Sequence, residues 1–271
     1  NNDITTLGRG GSDTTAVAVT AALNADICEI YTDVDGVYTA DPRVVSNAEK
    51  LQEISYDEML ELASVGAGVL NPRSVECAKL HGVELRVLSS FNNNTGTLVR
   101  EENKLEKKVI VRGVAKDDNI ARIAIKGVPD KPGIAYRVCD VLSKEGINVD
   151  MIIQSINTEK FNDMLFTINR DDLDRAVKIL GILVGEIGAK DFAADSNVAK
   201  ISIVGAGIAS TPGVATKMFQ AFCEQDINIQ AISTSELKIS CIISRDRIDD
   251  AMRAVHEKFK LSKAHDYINV Y

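Results

Sequence analysis

Three histidines and five cysteines in 271 residues leave little material for several kinds of chemistry. His81, His256 and His265 do not cluster with acids or cysteines in the sequence. That argues against a histidine-based metal site and against a Ser-His-Asp triad. Cys28, Cys77, Cys139, Cys223 and Cys241 are far apart, include no C-x-x-C pair and mostly sit in apolar segments. This is the pattern of buried thiols in a reducing cytosol, so a cytoplasmic location is expected. No apolar run approaches the roughly 20 residues needed to cross a bilayer, and no membrane partner is expected. Basic residues are outnumbered, 31 Lys and Arg against 39 Asp and Glu, and no basic stripe stands out. Nucleic acid is therefore not an expected partner. The chain starts at Asn1, without an initiator methionine and close to a structured motif. The expectation is a fragment that begins inside a domain, with no legible signal peptide.

The most informative stretch is Thr5-Thr6-Leu7-Gly8-Arg9-Gly10-Gly11-Ser12-Asp13-Thr14-Thr15-Ala16. A glycine-dense turn holding one arginine runs into a helix that opens at Ser12 and Asp13. Glycines let backbone N–H groups approach a ligand closely. A helix N-terminus attracts anions, and a guanidinium can grip a carboxylate or phosphate with two parallel hydrogen bonds.

Residues 1–100 alternate helix and strand signals. A helix from Ser12 to Asn24 is followed by a strand at 27–31. Ser55-Tyr56-Asp57-Glu58 is a capping box that starts a helix near Tyr56, and Gly66 stops it after about Val65. Pro72 opens the next helix, Gly82 closes it, and a strand follows at 84–89. The order suggests half of an α/β domain with a mostly parallel sheet. Residues 100–108 are charged and almost without apolar side chains, which marks a linker.

The rest of the chain is an internal repeat. Asp130-Lys131-Pro132-Gly133-Ile134-Ala135 through Ile147-Asn148-Val149 aligns without a gap on Ser210-Thr211-Pro212-Gly213-Val214-Ala215 through Ile227-Asn228-Ile229, 80 residues on. Each copy reads as strand, helix, two strands and helix, a ferredoxin-like βαββα unit. The boundaries expected are 1–107, 108–190 and 191–271. The strand at 109–113 is assigned to neither copy. Val204-Gly205-Ala206-Gly207-Ile208-Ala209-Ser210 resembles a dinucleotide loop but lacks the third glycine, and the other copy lacks the pattern. It is not expected to bind nucleotide.

Thr6-Leu7-Gly8-Arg9-Gly10-Gly11-Ser12-Asp13, followed by Tyr31-Thr32-Asp33-Val34-Asp35-Gly36-Val37-Tyr38-Thr39-Ala40-Asp41-Pro42-Arg43, resembles the second half of an aspartokinase catalytic domain. The tandem repeat resembles the two ACT domains that follow it in that family. The resemblance implies an amino-acid-kinase α/β fold and transfer of the ATP γ-phosphoryl group to the side-chain carboxylate of L-aspartate. The product is 4-phospho-L-aspartate, the entry to lysine, threonine, methionine and diaminopimelate synthesis. Cofactors implied are ATP and Mg²⁺, and no protein ligand is assigned to the metal. Arg9 matches the arginine that pairs with a substrate carboxylate. Gly10, Gly11, Ser12 and Asp13 line the substrate pocket, with Arg9 and Asp13 in the catalytic set. Thr32, Asp33, Tyr38, Asp41 and Arg43 match nucleotide-holding positions. Two departures stand out: Gly68 where many members have a phosphate-reaching lysine, and Asn71 in place of a frequent histidine. The glycine form is similar to a Gram-positive subgroup, and Arg73 is a candidate substitute phosphate ligand, set against the plainer reading of a helix-surface arginine. The family's front segment, with its catalytic lysine, is not in this sequence, so the chain alone is expected to be inactive.

ACT pairs in this family bind end-product amino acids. Lysine, threonine or both are the implied effectors, held where the domains of two subunits of a homodimer meet. Asp130, Gly133, Ile134, Ala135, Asn148 and Gln154 are the expected contacts in the first repeat, with Asn228, Ile229 and Thr234 in the second. Two other readings stay open. One is a non-catalytic amino-acid-sensing module with a kinase remnant. The other is a different amino-acid kinase, such as a glutamate or uridylate kinase.

Overall fold

The computed structural model describes residue 8 and residues 10–102, 109–155 and 161–263. Arg9 and most of the expected linker lie outside the described residues.

Helix α1 (Gly11–Leu23) turns back at left-handed Asn24 into strand β1 (Ile27–Thr32). Its N-cap is Gly10 at φ 75°, so Ser12 lies inside the helix and no side chain caps it. Strand β2 (Glu53–Ser55) runs straight into α2 (Tyr56–Ser64), and the capping box forms as predicted: Glu58 N donates to Ser55 Oγ at 3.2 Å. Helix α3 (Pro72–His81) starts at Asn71, whose side chain accepts from Arg73 N, and stops at left-handed Gly82. Strands β3 (Glu84–Ser89) and β4 (Thr97–Arg100) complete a sheet of order β1-β3-β4-β2. The β1–β3 and β2–β4 pairs are parallel and β3–β4 is antiparallel, so the sheet is mixed. Val17, Ile54, Met59, Leu62, Val75 and Leu85 are almost completely buried in its core.

The first repeat comprises β6 (Ile120–Pro129), α4 (Ile134–Lys144), β7 (Val149–Gln154), β8 (Phe161–Asn169) and α5 (Leu173–Ile187). The second comprises β10 (Val198–Val204), α6 (Val214–Glu224), β11 (Ala231–Thr234), β12 (Lys238–Ser244) and α7 (Ile248–Lys258). Both are the expected βαββα unit. The edge strands are exchanged. β5 (Gly113–Asp117) pairs with β10, whereas β9 (Asp191–Asp195) pairs with β6. The sheets are therefore β7-β8-β6-β9 and β11-β12-β10-β5. Boundaries at 108 and 191 cut across both sheets. The first repeat is inserted between β5 and the rest of the second repeat's sheet. An edge strand carries little sequence signal for its partner, because any strand with free N–H and C=O groups can take the place.

The repeat has a local twofold character. Arg122 and Asp195 face each other in register on β6 and β9, as Lys200 and Asp117 do on β10 and β5. Arg122 also donates to Gln230 of the second repeat at 2.6 Å, and Lys200 pairs with Asp150 of the first at 2.5 Å. A small apolar contact of Ile120, Met151, Val198 and Ile242 lies at the same junction.

Candidate active site

In open α/β sheets, ligands bind beyond the carboxyl ends of parallel strands. Here β1 and β3 are parallel, and their carboxyl ends, Thr32 and Ser89, are joined by Ser90 N donating to Thr32 O at 2.8 Å. Because α1 folds back on β1 and the two are each about 20 Å long, the glycine turn at Gly8–Gly11 returns to this same edge. By those lengths Gly10, Gly11, Ser12 and Asp13 at the helix start lie toward the same end of the sheet as Thr32 and Asp33 at the strand end.

Gly10 has no room for a side chain, since a Cβ there would stand 2.1 Å from the Asn71 amide nitrogen. Asn71 therefore seats the glycine turn on α3 as well as capping it. The Ser12 hydroxyl lies 3.4 Å from Asp13 Oδ1, and the Thr32 hydroxyl donates to Asp33 Oδ1 at 2.9 Å. Asp33 is exposed and Asp13 half-buried.

The loop after β1 is pinned by one carboxylate. Asp35 accepts from the Tyr38 hydroxyl at 2.6 Å, from Lys50 Nζ at 3.1 Å and from Asn94 Nδ2 at 2.8 Å. The Tyr38 hydrogen bond is the main reason its carboxyl is lowered from 3.8 to about 2, and burial first and then Asp35 push Tyr38 up to about 12. Gly36 completes the tuck at φ 146°, with a Cβ there 2.5 Å from Thr97 Oγ1. Asp35 lies inside the Tyr31–Arg43 motif but is not among the candidate site residues. Lys50 and Asn94 gave no signal, being 15 and 59 residues from Asp35.

Further along, Asp41 and Arg43 form a two-pronged pair, Nη2–Oδ2 2.8 Å and Nε–Oδ1 3.0 Å. That hydrogen bonding holds Asp41 below the usual carboxylate range and raises Arg43, to which Asp33 adds its charge. The Arg43 side chain is 89% exposed, so its fork is held by Asp41 on the surface rather than turned to the glycine turn. Arg73 meets this region through its backbone N–H, which donates to Asn71 Oδ1 at 2.9 Å.

The effector candidates do not gather at one place in the chain. Asp130 and Gly133–Ala135 follow the end of β6, the same end of the sheet as Gln154, which faces Met164 on β8. Asn148 precedes β7 at the opposite end, roughly 20 Å away at strand spacing. Asn228 and Thr234 are likewise separated by the length of β11.

Sequence reading missed a buried joint between the halves. Glu58, 1% exposed, accepts from Ser55, from Arg112 Nε at 3.1 Å and from Ala206 N at 3.2 Å. The glycines of the dinucleotide-like loop serve this joint. A Cβ on Gly205 would stand 2.2 Å from Ile110 O, and one on Gly207 would stand 2.6 Å from Ile110 Cα. They are glycines because two backbones touch there. Nearby, the Thr39 hydroxyl meets His256 Nε2 at 3.0 Å, and burial keeps that imidazole below its ordinary pKa, favouring the neutral ring.

No helix among the described residues is long and apolar enough to cross a membrane. Residues 1–89 match the amino acid kinase family, and residues 123–181 and 201–259 each match the ACT domain. The aspartate kinase of Stutzerimonas stutzeri is 48% identical over 261 residues, which is 96% of this chain and 63% of that protein. The chain thus spans less than two thirds of such relatives. The crystal structure of Clostridium acetobutylicum aspartate kinase superposes with a TM-score of 0.85 at 28% identity, over 95% of this chain and 60% of that one. The regulatory subunit of Thermus thermophilus aspartate kinase superposes with a TM-score of 0.53 at 44% identity, over 56% of this chain and 99% of its own length. With that subunit matched throughout, and kinase and ACT regions in the order the motifs indicated, the chain belongs to the aspartate kinase family.

Proposed function

We propose that this chain is the carboxyl-terminal part of an aspartate kinase, which phosphorylates the side-chain carboxylate of L-aspartate with ATP and feeds lysine, threonine, methionine and diaminopimelate synthesis in the cytoplasm. The reading is supported by the glycine turn seated on Asn71 at the start of α1, together with the loop after β1 that Asp35 anchors through Tyr38, Lys50 and Asn94. A helix start without a side-chain cap suits an anionic substrate group. An exposed carboxylate beside a hydroxyl suits a phosphate-borne cation. Mg²⁺ binds through one or two carboxylates and substrate phosphates while keeping water ligands. Asp33, an exposed carboxylate at the strand end, is a donor of that kind, and the ion would neutralise phosphoryl charge. Phosphoryl transfer otherwise depends on positioning, which is what Asp35 gives the loop. Arg9, Gly10, Gly11, Ser12 and Asp13 are assigned to aspartate, and Thr32, Asp33, Tyr38, Asp41 and Arg43 to nucleotide. A solved E. coli relative, aspartokinase III, is described in complex with aspartate and ADP, and again with lysine and aspartate.

For the repeats we assign lysine, threonine or both. Within one repeat the expected contacts lie at opposite ends of β7, so a complete site needs a second ACT copy. That copy is either this chain's other repeat or one from a partner subunit, and we assign it to the partner of a homodimer. An effector that favours one arrangement shifts the population toward it. A second reading, a regulatory subunit without its own catalysis, is favoured by the match to the whole Thermus subunit.

Isothermal titration with lysine, threonine and both tests the regulatory part. Saturable heat, lost in Gln154→Ala or Asn228→Ala, is the expected result. For catalysis, ATP-dependent phosphorylation of aspartate by the full-length protein, absent from this chain alone, is expected. Turnover by the isolated chain would refute the assigned need for a front segment.

A further inference from the structure

The loop at residues 37–50 carries Tyr38, Asp41 and Arg43, yet much of it is packed on the second ACT repeat. Ala40 and Val45 are buried in the same hydrophobic cluster as Ile201, Ile203, Met252 and Val255. Between Tyr38 and Ala40, Thr39 is fully buried. Its polar atoms are all engaged. Thr39 N donates to Glu49 O at 2.9 Å, and Glu49 N donates to Thr39 Oγ1 at 3.0 Å. Those two bonds close the loop on itself. The other two leave it: Val114 N of β5 donates to Thr39 O at 2.8 Å, and His256 of α7 meets Thr39 Oγ1 at 3.0 Å. Both partners belong to the second repeat's sheet or its helix. His256 is 1% exposed. Gly113 lets β5 come this close, since a Cβ there would stand 3.0 Å from Thr39 O.

We propose that Thr39 and His256 are positioning residues for the nucleotide, through which the place of α7 in the second ACT repeat sets the place of Tyr38 and Asp41. The proposal rests on the assignment of that loop to nucleotide. Its physical basis is that a buried hydrogen bond is kept wherever breaking it would strand a polar group. Displacing α7 therefore displaces Thr39 rather than breaking the contact. Tyr38 immediately precedes Thr39 and Asp41 lies two residues after it, and both belong to the loop assigned to nucleotide. Shifts at packed interfaces pass on as whole-element movements because interiors are close-packed. A shift in the regulatory part would thus reach the nucleotide grip without passing through the aspartate pocket at α1.

The test uses the full-length protein, with ATP and aspartate varied separately in the phosphotransfer assay and melting followed in parallel. Thr39→Val keeps the shape and removes the hydroxyl, and Thr39→Ser restores it. His256→Leu removes the ring nitrogens, and His256→Gln supplies a polar group of similar reach. Expected for Thr39→Val and His256→Leu is a rise of about fivefold to tenfold in KM for ATP, the size one lost hydrogen bond supports. KM for aspartate and kcat should stay within about twofold, the signature of lost ATP binding rather than of an interaction made only in the transition state. Thr39→Ser and His256→Gln should recover most of the ATP affinity. The double variant Thr39→Val, His256→Leu should raise KM for ATP no more than the worse single, as for groups acting through one contact. If melting temperature falls while KM for ATP is unchanged in the single variants, the contact is structural only and the proposal is overturned. Absence of aspartate phosphorylation by the unmodified protein would instead overturn the functional assignment, and the proposal with it.

Discussion

Lys200 of β10 and Asp150 at the start of β7 form an ion pair of 2.5 Å that ties one ACT repeat to the other. Its counterpart is Arg122 of β6 with Gln230, at 2.6 Å. The two contacts occupy matched places: Arg122 and Lys200 on the central strands, Asp150 and Gln230 two residues after Asn148 and Asn228. Each repeat thus holds the segment of the other in which an effector contact is assigned.

The Lys200–Asp150 pair has an unequal burial that decides which partner matters more. The Lys200 side chain is 6% exposed and that of Asp150 50%. Asp150→Ala strands a buried ammonium with Asp117 as a more distant partner at 3.8 Å, and should cost about 2–3 kcal/mol. Lys200→Met leaves a carboxylate that water reaches and should cost only about 1 kcal/mol. Urea unfolding of both variants checks the order. An equal or reversed order would mean that the ammonium is solvated in the native protein.

Glu58 is the acceptor on which the kinase-like half, residue Arg112 and the loop of the second repeat converge. Glu58→Ala leaves the Arg112 charge buried and removes the reciprocal half of the α2 cap. A loss of about 3–5 kcal/mol is expected. Glu58→Gln keeps an acceptor for Ala206 N and should cost clearly less. A double-mutant cycle with Arg112→Met, read from urea midpoints, should give a coupling of about 1–3 kcal/mol.

Gly207→Ala is expected to destabilise by about 1–3 kcal/mol, because the added methyl meets backbone rather than a side chain that can move aside. The same variant should leave ADP and NAD titrations of the chain unchanged. A selective loss of nucleotide heat with unchanged melting would return this loop to the nucleotide-binding readings.

Much of this was legible in the sequence where the signal is local. The capping box at Ser55–Glu58, Pro72 at a helix start, Gly82 at its end and the two Pro-Gly turns each dictate structure within a few residues. The glycine turn reads as an anion site from its residue types, whereas the Thr32–Tyr38 segment is assigned to nucleotide only through the family resemblance. What could not be read was pairing at a distance. Nothing in 113–117 or 191–195 says which central strand each will join, and so the repeats looked consecutive when they interleave. Lys50 and Asn94 meet Asp35 only through the fold. Gly205 and Gly207 misled for the same reason: glycines required by a backbone contact with Ile110 look like glycines required by a phosphate. The two ends of β7 show the converse case, where residues close in sequence are held apart by an extended strand.

Asp35 and Tyr38 give the loop a pH window of its own. The Asp35 carboxyl is lowered from 3.8 to about 2 in the folded protein, chiefly by the Tyr38 hydroxyl. Stability from this source is complete above the unfolded value and is lost as pH falls through about 2. With the side chain 18% exposed, the contribution is about 2 kcal/mol. Tyr38 is raised from 10.0 to about 12, so its share is complete below pH 10.0 and is lost as pH rises through about 12. Unfolding measured by urea at a series of pH values should therefore fall less steeply between pH 4 and 2 in Asp35→Asn than in the unmodified chain. Tyr38→Phe should flatten both limbs, since it removes the donor that lowers Asp35 and the phenol that titrates. Tyr56, also pushed up to about 12 by its burial, stays in both proteins and leaves a residual alkaline limb. If Tyr38→Phe flattened the alkaline limb alone, Lys50 and Asn94 rather than Tyr38 would be holding the Asp35 carboxylate.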